Sequence, residues 1–241
     1  MSGDFGPAAE AERASASEDG RLLFRDVSFA VSAGTVLALL GQRTAAAALI
    51  QSLAGDRRLT QGRMTVLGLD PRRRWRLRGR RAFRSQGSPL SPLRSSPDLL
   101  LLDEPPAPPE AFRAWLRERT AAGMATVVAT RDAALATALA DRAAVFSRGR
   151  LVSEGTIPDL IPCFRRLRFV NRLTETRTAF GTELDEFDAL RVRVRGWGIE
   201  AVVADYDEAA FERLRRVDGV TDAESETMTL AEIVEACAEG A

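Results

Sequence analysis

Two adjacent carboxylates, Asp103 and Glu104, end the apolar run "DLLLLDEP". Consecutive leucines read as a strand buried on both faces, and such a strand delivers the pair to its C-terminal end, where open α/β sheets bind ligands. Carboxylates there are costly to bury without a cation or hydrogen-bond donors. A candidate anion site lies upstream in "LALLGQRTAAAALIQSLAG", which reads as a buried strand, a turn at Gly41 and a helix. That order can turn helix N-terminal amides toward a phosphate, and Arg43 and Thr44 are the only nearby side chains suited to help. In "VVATRD", Arg131 follows a further apolar strand and carries a charge that meets phosphate or carboxylate equally well. Gln86, after "AFRS", is either a polar site residue or part of a Ser/Pro linker.

What is missing narrows the chemistry. All 34 positive charges of this 241-residue chain are arginine; it has no lysine and no histidine. Lysine-based phosphate capture, Schiff-base chemistry, histidine general-base catalysis and histidine metal ligation are therefore excluded. Cys163 and Cys237 are too few for a disulfide framework and fit a reduced cytoplasm. Acids balance bases at 34 each, so no global charge argues for nucleic acid or membrane. No apolar run approaches the ~20 residues of a membrane helix, and the first residues lack the basic start and apolar core of a signal peptide.

The elements that must hold these residues alternate strand and helix, which predicts a mainly parallel, covered sheet. Residues 1–20 read as a disordered tail, and "RLLFRDVSFAVSAG" as a half-buried antiparallel hairpin. "GRMTVLGLDP" is a short strand, "PEAFRAWLRERTAAG" and "AALATALADR" are helices, and "AAVFSRGRLVSEG" is a closing hairpin turning at Ser147 to Arg150. From about Pro162 the pattern changes to two strands, a helix, a strand and a final helix. Three regions result: a tail over 1–20, an α/β domain over 21–161, and a small α+β accessory domain over 162–241. Charge divides likewise, with twelve arginines against Asp70 in residues 57–94, and twelve acids against three arginines in residues 197–241.

The order of these pieces, from "DVSFAVSAGTVLALLG" through "LLLLDEP" to "ATVVATRDAALATALADRAAVFSRGRLVSEGT", resembles the ATP-binding subunit of an ABC transporter, particularly the ABC-2 exporter type. The closing "MTLAEIVEACAEG" is similar to a short motif that ends many exporter-type subunits. The resemblance implies a P-loop NTPase-like α/β fold with an antiparallel N-terminal hairpin. It also shows departures. In the family a glycine-rich loop, a lysine and a hydroxyl hold phosphate and Mg²⁺; here Gly41 is kept, Ala46 falls near the lysine position, and the loop is one residue short. The helical subdomain with its Leu-Ser-Gly-Gly-Gln signature is missing, since only residues 72–96 connect the flanking strands. By resemblance Asp103 would assist Mg²⁺, Glu104 would polarise the attacking water, and Gln86 would be a vestige of the glutamine that senses Mg²⁺. Arg131 stands where the family carries a histidine, and is expected to pair with Asp103 or Glu104.

These departures imply a non-catalytic, pseudo-ATPase subunit with no nucleotide cofactor, at the cytoplasmic face of the bacterial inner membrane. It would be held there through a membrane permease and a competent ABC ATPase subunit, without nucleic acid. Two other readings stay open: a working ATPase binding Mg-ATP in an unorthodox way, and a soluble interaction module unrelated to transport. The segment "RRRWRLRGRRAFR", with eight arginines around Trp75 and Phe83, reads as a solvated loop, a dock for an acidic protein segment, or a contact for anionic lipid.

Overall fold

A computed structural model describes residues 6–171, 184 and 186–239. In chain order it contains β1 (Ala9–Glu18), β2 (Arg21–Val31), β3 (Val36–Gly41), α1 (Arg43–Ala54), β4 (Gln61–Val66), α2 (Arg74–Leu77) and β5 (Arg81–Arg84). There follow β6 (Leu99–Asp103), α3 (Glu110–Ala121), β7 (Ala125–Ala129), α4 (Ala133–Leu139), β8 (Arg142–Ser147), β9 (Arg150–Thr156) and α5 (Ile157–Leu160). The last part holds β10 (Arg165–Asn171), β11 (Asp188–Arg195), β12 (Gly198–Ala204), α6 (Glu208–Leu214), β13 (Val220–Thr227) and α7 (Leu230–Glu239).

The central sheet has the order β5-β6-β7-β3-β8-β9, parallel except for β9, which returns antiparallel beside β8. Its middle strands are the leucine, valine and alanine runs, buried on both faces as parallel strands flanked by helices must be. Asp103 pairs in register with Ala129, as does Leu39, so β6, β7 and β3 end together at one edge. The β8–β9 turn lies where the sequence predicts it, with Arg148 and Gly149 both at positive φ.

A second, antiparallel sheet has the order β2-β1-β4 and covers one face together with α1. Here the reading of residues 1–20 as a disordered tail is corrected. Ala9–Glu18 form a strand, and the expected hairpin within residues 21–34 is instead β1 paired with β2 through a turn at Asp19 and Gly20; residues 1–5 of that tail lie outside the described residues. The signal was an alternation of alanines. Ala9, Ala11, Ala14 and Ala16 are all buried, with the alternation shifted by an irregularity where Arg13 takes a positive φ. Alanine buries too little surface per residue to mark a strand by hydrophobicity alone.

The opposite face carries α3, α4 and α7. The C-terminal sheet, β11-β12-β10-β13, has its own core with α6 around Phe169, Phe211 and Leu214. It is not a detached appendage, because Leu190, Val202, Met228 and the apolar side of α7 join the core beneath the central sheet. Besides β1, two further strands have no counterpart in the sequence reading. β10 is one; the other is β5, cut from the arginine-rich segment and laid parallel to β6 as an edge strand. Between β4 and β6 the only helix is the one-turn α2, in agreement with the missing helical subdomain.

Candidate functional site

The site is the C-terminal edge of the central sheet, where Gly41, Arg43, Gln86, Asp103, Glu104 and Arg131 meet. The chain leaves β3 at Gly41 and enters α1 at Arg43, so a single residue, Gln42, connects strand and helix. Gly41 has φ +87°, and a Cβ there would stand 2.2 Å from the carbonyl oxygen of Phe146 and 3.0 Å from Cβ of Cys237. Glycine is needed here for close approach between β3, β8 and α7. The Gln42 amide donates to the Phe146 carbonyl at 2.8 Å, and its side-chain oxygen accepts from the Gly149 amide of the β8–β9 turn. Both polar ends of the connecting residue are thus spent within the fold.

Arg43 opens α1, whose N-terminus has no side-chain cap. Its Nη2 donates to Oε1 of Gln86 at 2.7 Å, joining the start of α1 to the segment that leaves β5. Its charge also reaches Asp103. Burial pushes the Asp103 carboxyl above its ordinary pKa, and the Arg43 guanidinium opposes that rise. Glu104 takes φ +43° and donates its amide to the Ala129 carbonyl at 2.9 Å, which anchors it against β7. Arg131, at the exit of β7, places Nε 3.5 Å from Oε1 of Glu104, with side-chain exposures of 59% and 17%. The expected pairing of Arg131 is present, with Glu104 as its partner, but as one solvent-facing contact.

Thr44 is exposed on the first turn of α1. Ala46 does not face the site at all: it is 4% exposed and packs in the core with Ala45, Ala48 and Leu49, while its amide closes the first helical bond to Gln42. Its assignment to the nucleotide-facing position is corrected on that ground. One residue connects β3 to α1, its amide is already bonded to the Phe146 carbonyl, Ala46 lies in the core, and the Arg43 guanidinium acts on Asp103. Among the described residues no cluster of three or more acids, cysteines or histidines could hold a metal ion.

Sequence reasoning missed Gln42 and Cys237. Cys237 lies on α7, 196 positions beyond Gly41 in the chain, and only the close packing of α7 against β3 brings them together. "LAEIVEACAEG" reads as a final helix, but the sequence does not say where that helix docks.

Comparison with known proteins places this architecture in one class. An ATP-binding subunit of an ABC transporter superposes on 64% of this chain and 92% of its own, at a TM-score of 0.54 and 18% identity. cbiO1 from Clostridium perfringens, described as part of the ABC transporter complex cbiONQ, does so over 63% and 89% at a TM-score of 0.51 and 16% identity. A nucleotide-free ATP-binding cassette from an ABC transporter covers 62% and 91% at 0.52 and 12%. The chain has the fold of an ABC transporter ATP-binding domain. In sequence, 64 residues are 47% identical to the cobalt import ATP-binding protein CbiO of Rhodobacter capsulatus. That match spans 24% of this chain and 23% of the relative, so it covers about a quarter of each. No family model matches.

Proposed function

We propose that this chain is a pseudo-ATPase: an ABC-type ATP-binding subunit that assembles with a membrane permease and a catalytically competent ATPase subunit, and does not itself turn over ATP. The observation that carries the reading is the one-residue connection between β3 and α1. Phosphoryl transfer depends on positioned phosphates, a metal ion and an oriented water acting together. With Gln42 bonded into the β8–β9 turn and Ala46 in the core, the phosphates have no cradle. Arg43 supplies a fixed positive charge beside Asp103, and Arg131 supplies another beside Glu104. The two carboxylates then keep counter-charges without metal or nucleotide.

The exporter type is proposed from the resemblance of the landmarks over residues 26–156, and of the closing segment from Met228, to exporter-type subunits. Assembly is proposed through the fold class, because the similar proteins are named as subunits or parts of ABC transporters. Calorimetry with Mg-ATP, beside purification from native membranes, tests both halves. The reading expects no saturable binding at millimolar nucleotide, and recovery of a permease and a second ATPase with this chain. Tight Mg-ATP binding with turnover abolished by Glu104→Gln would establish a working enzyme instead. Recovery without any membrane protein would establish a module outside transport.

A further inference from the structure

The arginine-rich segment is separate from the site above and needs its own account. It folds as the one-turn helix α2, with Pro71 and Leu77 turned inward as anchors and every residue from Arg72 to Arg76, and from Arg78 to Arg80, exposed. Trp75 is 73% exposed, the most exposed large apolar side chain among the described residues, and Arg76 stacks on its ring at 4.8 Å. A solvated loop gives no reason to hold an indole in water. Arg72 and Arg73 also line a cleft of about 510 Å³, together with Arg58 and Arg63.

The fold consumes only part of this charge. Arg74 pairs with Asp56 and Arg80 with Asp98, and Arg81 donates to the carbonyls of Leu53 and Pro71. Arg58, Arg63, Arg72, Arg73 and Arg78, by contrast, make no ion pair or side-chain hydrogen bond among the described residues. Within the cleft Arg57 is paired with Glu18, and Asp70 accepts from the Arg72 amide. No acid of the chain's own C-terminal unit pairs with these five arginines among the described residues. Glu226 and Glu232 are engaged by Arg166, and Glu200 by Arg168 and Arg195, within that unit.

We infer that this face binds directly to a membrane surface bearing anionic phospholipid headgroups. Phosphodiester headgroups complement unpaired guanidinium groups, and an indole beside them sits at the depth where tryptophan is enriched at membrane interfaces. An acidic protein segment would satisfy the arginines equally. It would also need a pocket of its own to enclose Trp75, whereas a membrane interface takes up an indole without one. With a net charge of zero, the whole molecule is not drawn to a bilayer; attraction would orient it by this face.

The test uses the full chain carrying Trp197→Phe, which leaves Trp75 as the exposed tryptophan beside the buried Trp115. Vesicles of phosphatidylglycerol and phosphatidylcholine in equal parts, and of phosphatidylcholine alone, are compared by flotation at low and high salt. The expected result is binding to the anionic vesicles alone, lost at high salt, with Trp75 emission shifted to the blue and quenched by brominated acyl chains. Arg72→Ala and Arg73→Ala should each weaken partitioning about fivefold, and Trp75→Ala should remove the quenched signal, with circular dichroism unchanged in all three. No binding to anionic vesicles overturns the inference, as does binding that none of these variants weakens. Capture by a poly-glutamate peptide without vesicle binding overturns it in favour of an acidic protein partner.

Discussion

The guanidinium of Arg43, the first residue of α1, donates to the side-chain oxygen of Gln86 at 2.7 Å, across the mouth of the central sheet. The same guanidinium is the charge that opposes the burial-driven rise in the Asp103 pKa. Asp103 therefore binds its proton more tightly folded than unfolded, and its share of stability falls as pH rises from about 4 through the folded pKa. Arg43→Ala removes the opposing charge and extends that fall. Urea melts should show a loss of about 1 kcal/mol at pH 7, screened because Arg43 is exposed, and almost none at pH 4. Asp103→Asn in the same background should abolish the difference between the two pH values. An equal loss at both would mean that Arg43 acts through Gln86 alone.

Restoring the family's lysine by Ala46→Lys should not create a nucleotide site. Ala46 is 4% exposed on the core side of α1, so the ammonium would be buried among Ala45, Ala48 and Leu49. Overpacking and desolvation together should cost about 2 kcal/mol or more. Calorimetry should detect no gain in Mg-ATP binding, and thermal melts should fall. Micromolar binding with an unchanged melt would show that the first turn of α1 can rotate to present position 46.

How much of this was legible in the sequence depended on the kind of signal. The runs of β3, β6 and β7 are apolar throughout, a pattern that only a doubly covered sheet accommodates, and they fixed the placement of Asp103, Glu104 and Arg131 at one edge. The alanine alternation of β1 carried the same information at a fraction of the hydrophobic weight and was lost against its acidic and serine neighbours. β5 was hidden because its arginines are counted as solvent-seeking, although an edge strand can turn them outward and still bond its backbone to β6. Between β3 and α1 stands Gln42 alone, and where the helix starts was not legible because it depends on bonds such as Gln42 to Gly149 that join residues far apart in the chain.

Arg131→Ala should be nearly silent for stability. A two-bond grip would make its loss expensive, but Nε alone lies 3.5 Å from Glu104, and Arg131 is 59% exposed. The expected cost is below ~1 kcal/mol and should vanish in high salt. Glu104→Gln should be equally mild. A loss of several kcal/mol from either would mean that water bridges or a second conformation tighten the pair.

At the other end of the chain, Thr229 and Glu232 form a reciprocal cap on α7. Glu232 accepts from the Thr229 amide and hydroxyl at 2.8 Å each, while its own amide donates to the Thr229 hydroxyl. With Arg166 beside it, the carboxyl is held down at about 2. Because the folded pKa is depressed, this stability is present above about 4.5 and is lost as pH falls toward 2. Glu232→Gln should cost about 1 kcal/mol at pH 7 after discounting for exposure, and little at pH 2.5. Nuclear magnetic resonance titration of the Glu232 carboxyl, giving a midpoint near 4.5, would remove the argument.

Gly41 and Cys237 meet where α7 passes under the end of β3, and their contact separates two reasons for keeping a glycine at that turn. A residue kept for phosphate would tolerate a methyl group in the absence of ligand. One kept for packing would not, and here a Cβ would stand 2.2 Å from the Phe146 carbonyl oxygen that the Gln42 amide already uses. Gly41→Ala, also strained at φ +87°, should destabilise the fold by about 3 kcal/mol. Cys237 reports the same event independently. Burial pushes its thiol up to about 12, so a thiol reagent should modify the part-exposed Cys163 readily and Cys237 only when α7 opens. In Gly41→Ala the Cys237 reaction should accelerate about 100-fold, with Cys163 unchanged. If the melt falls while Cys237 stays protected, the strain is confined to the β3–β8 register and α7 does not depend on Gly41. If neither changes, the glycine is not held by packing, and a ligand at the mouth of the sheet becomes the better reason for it.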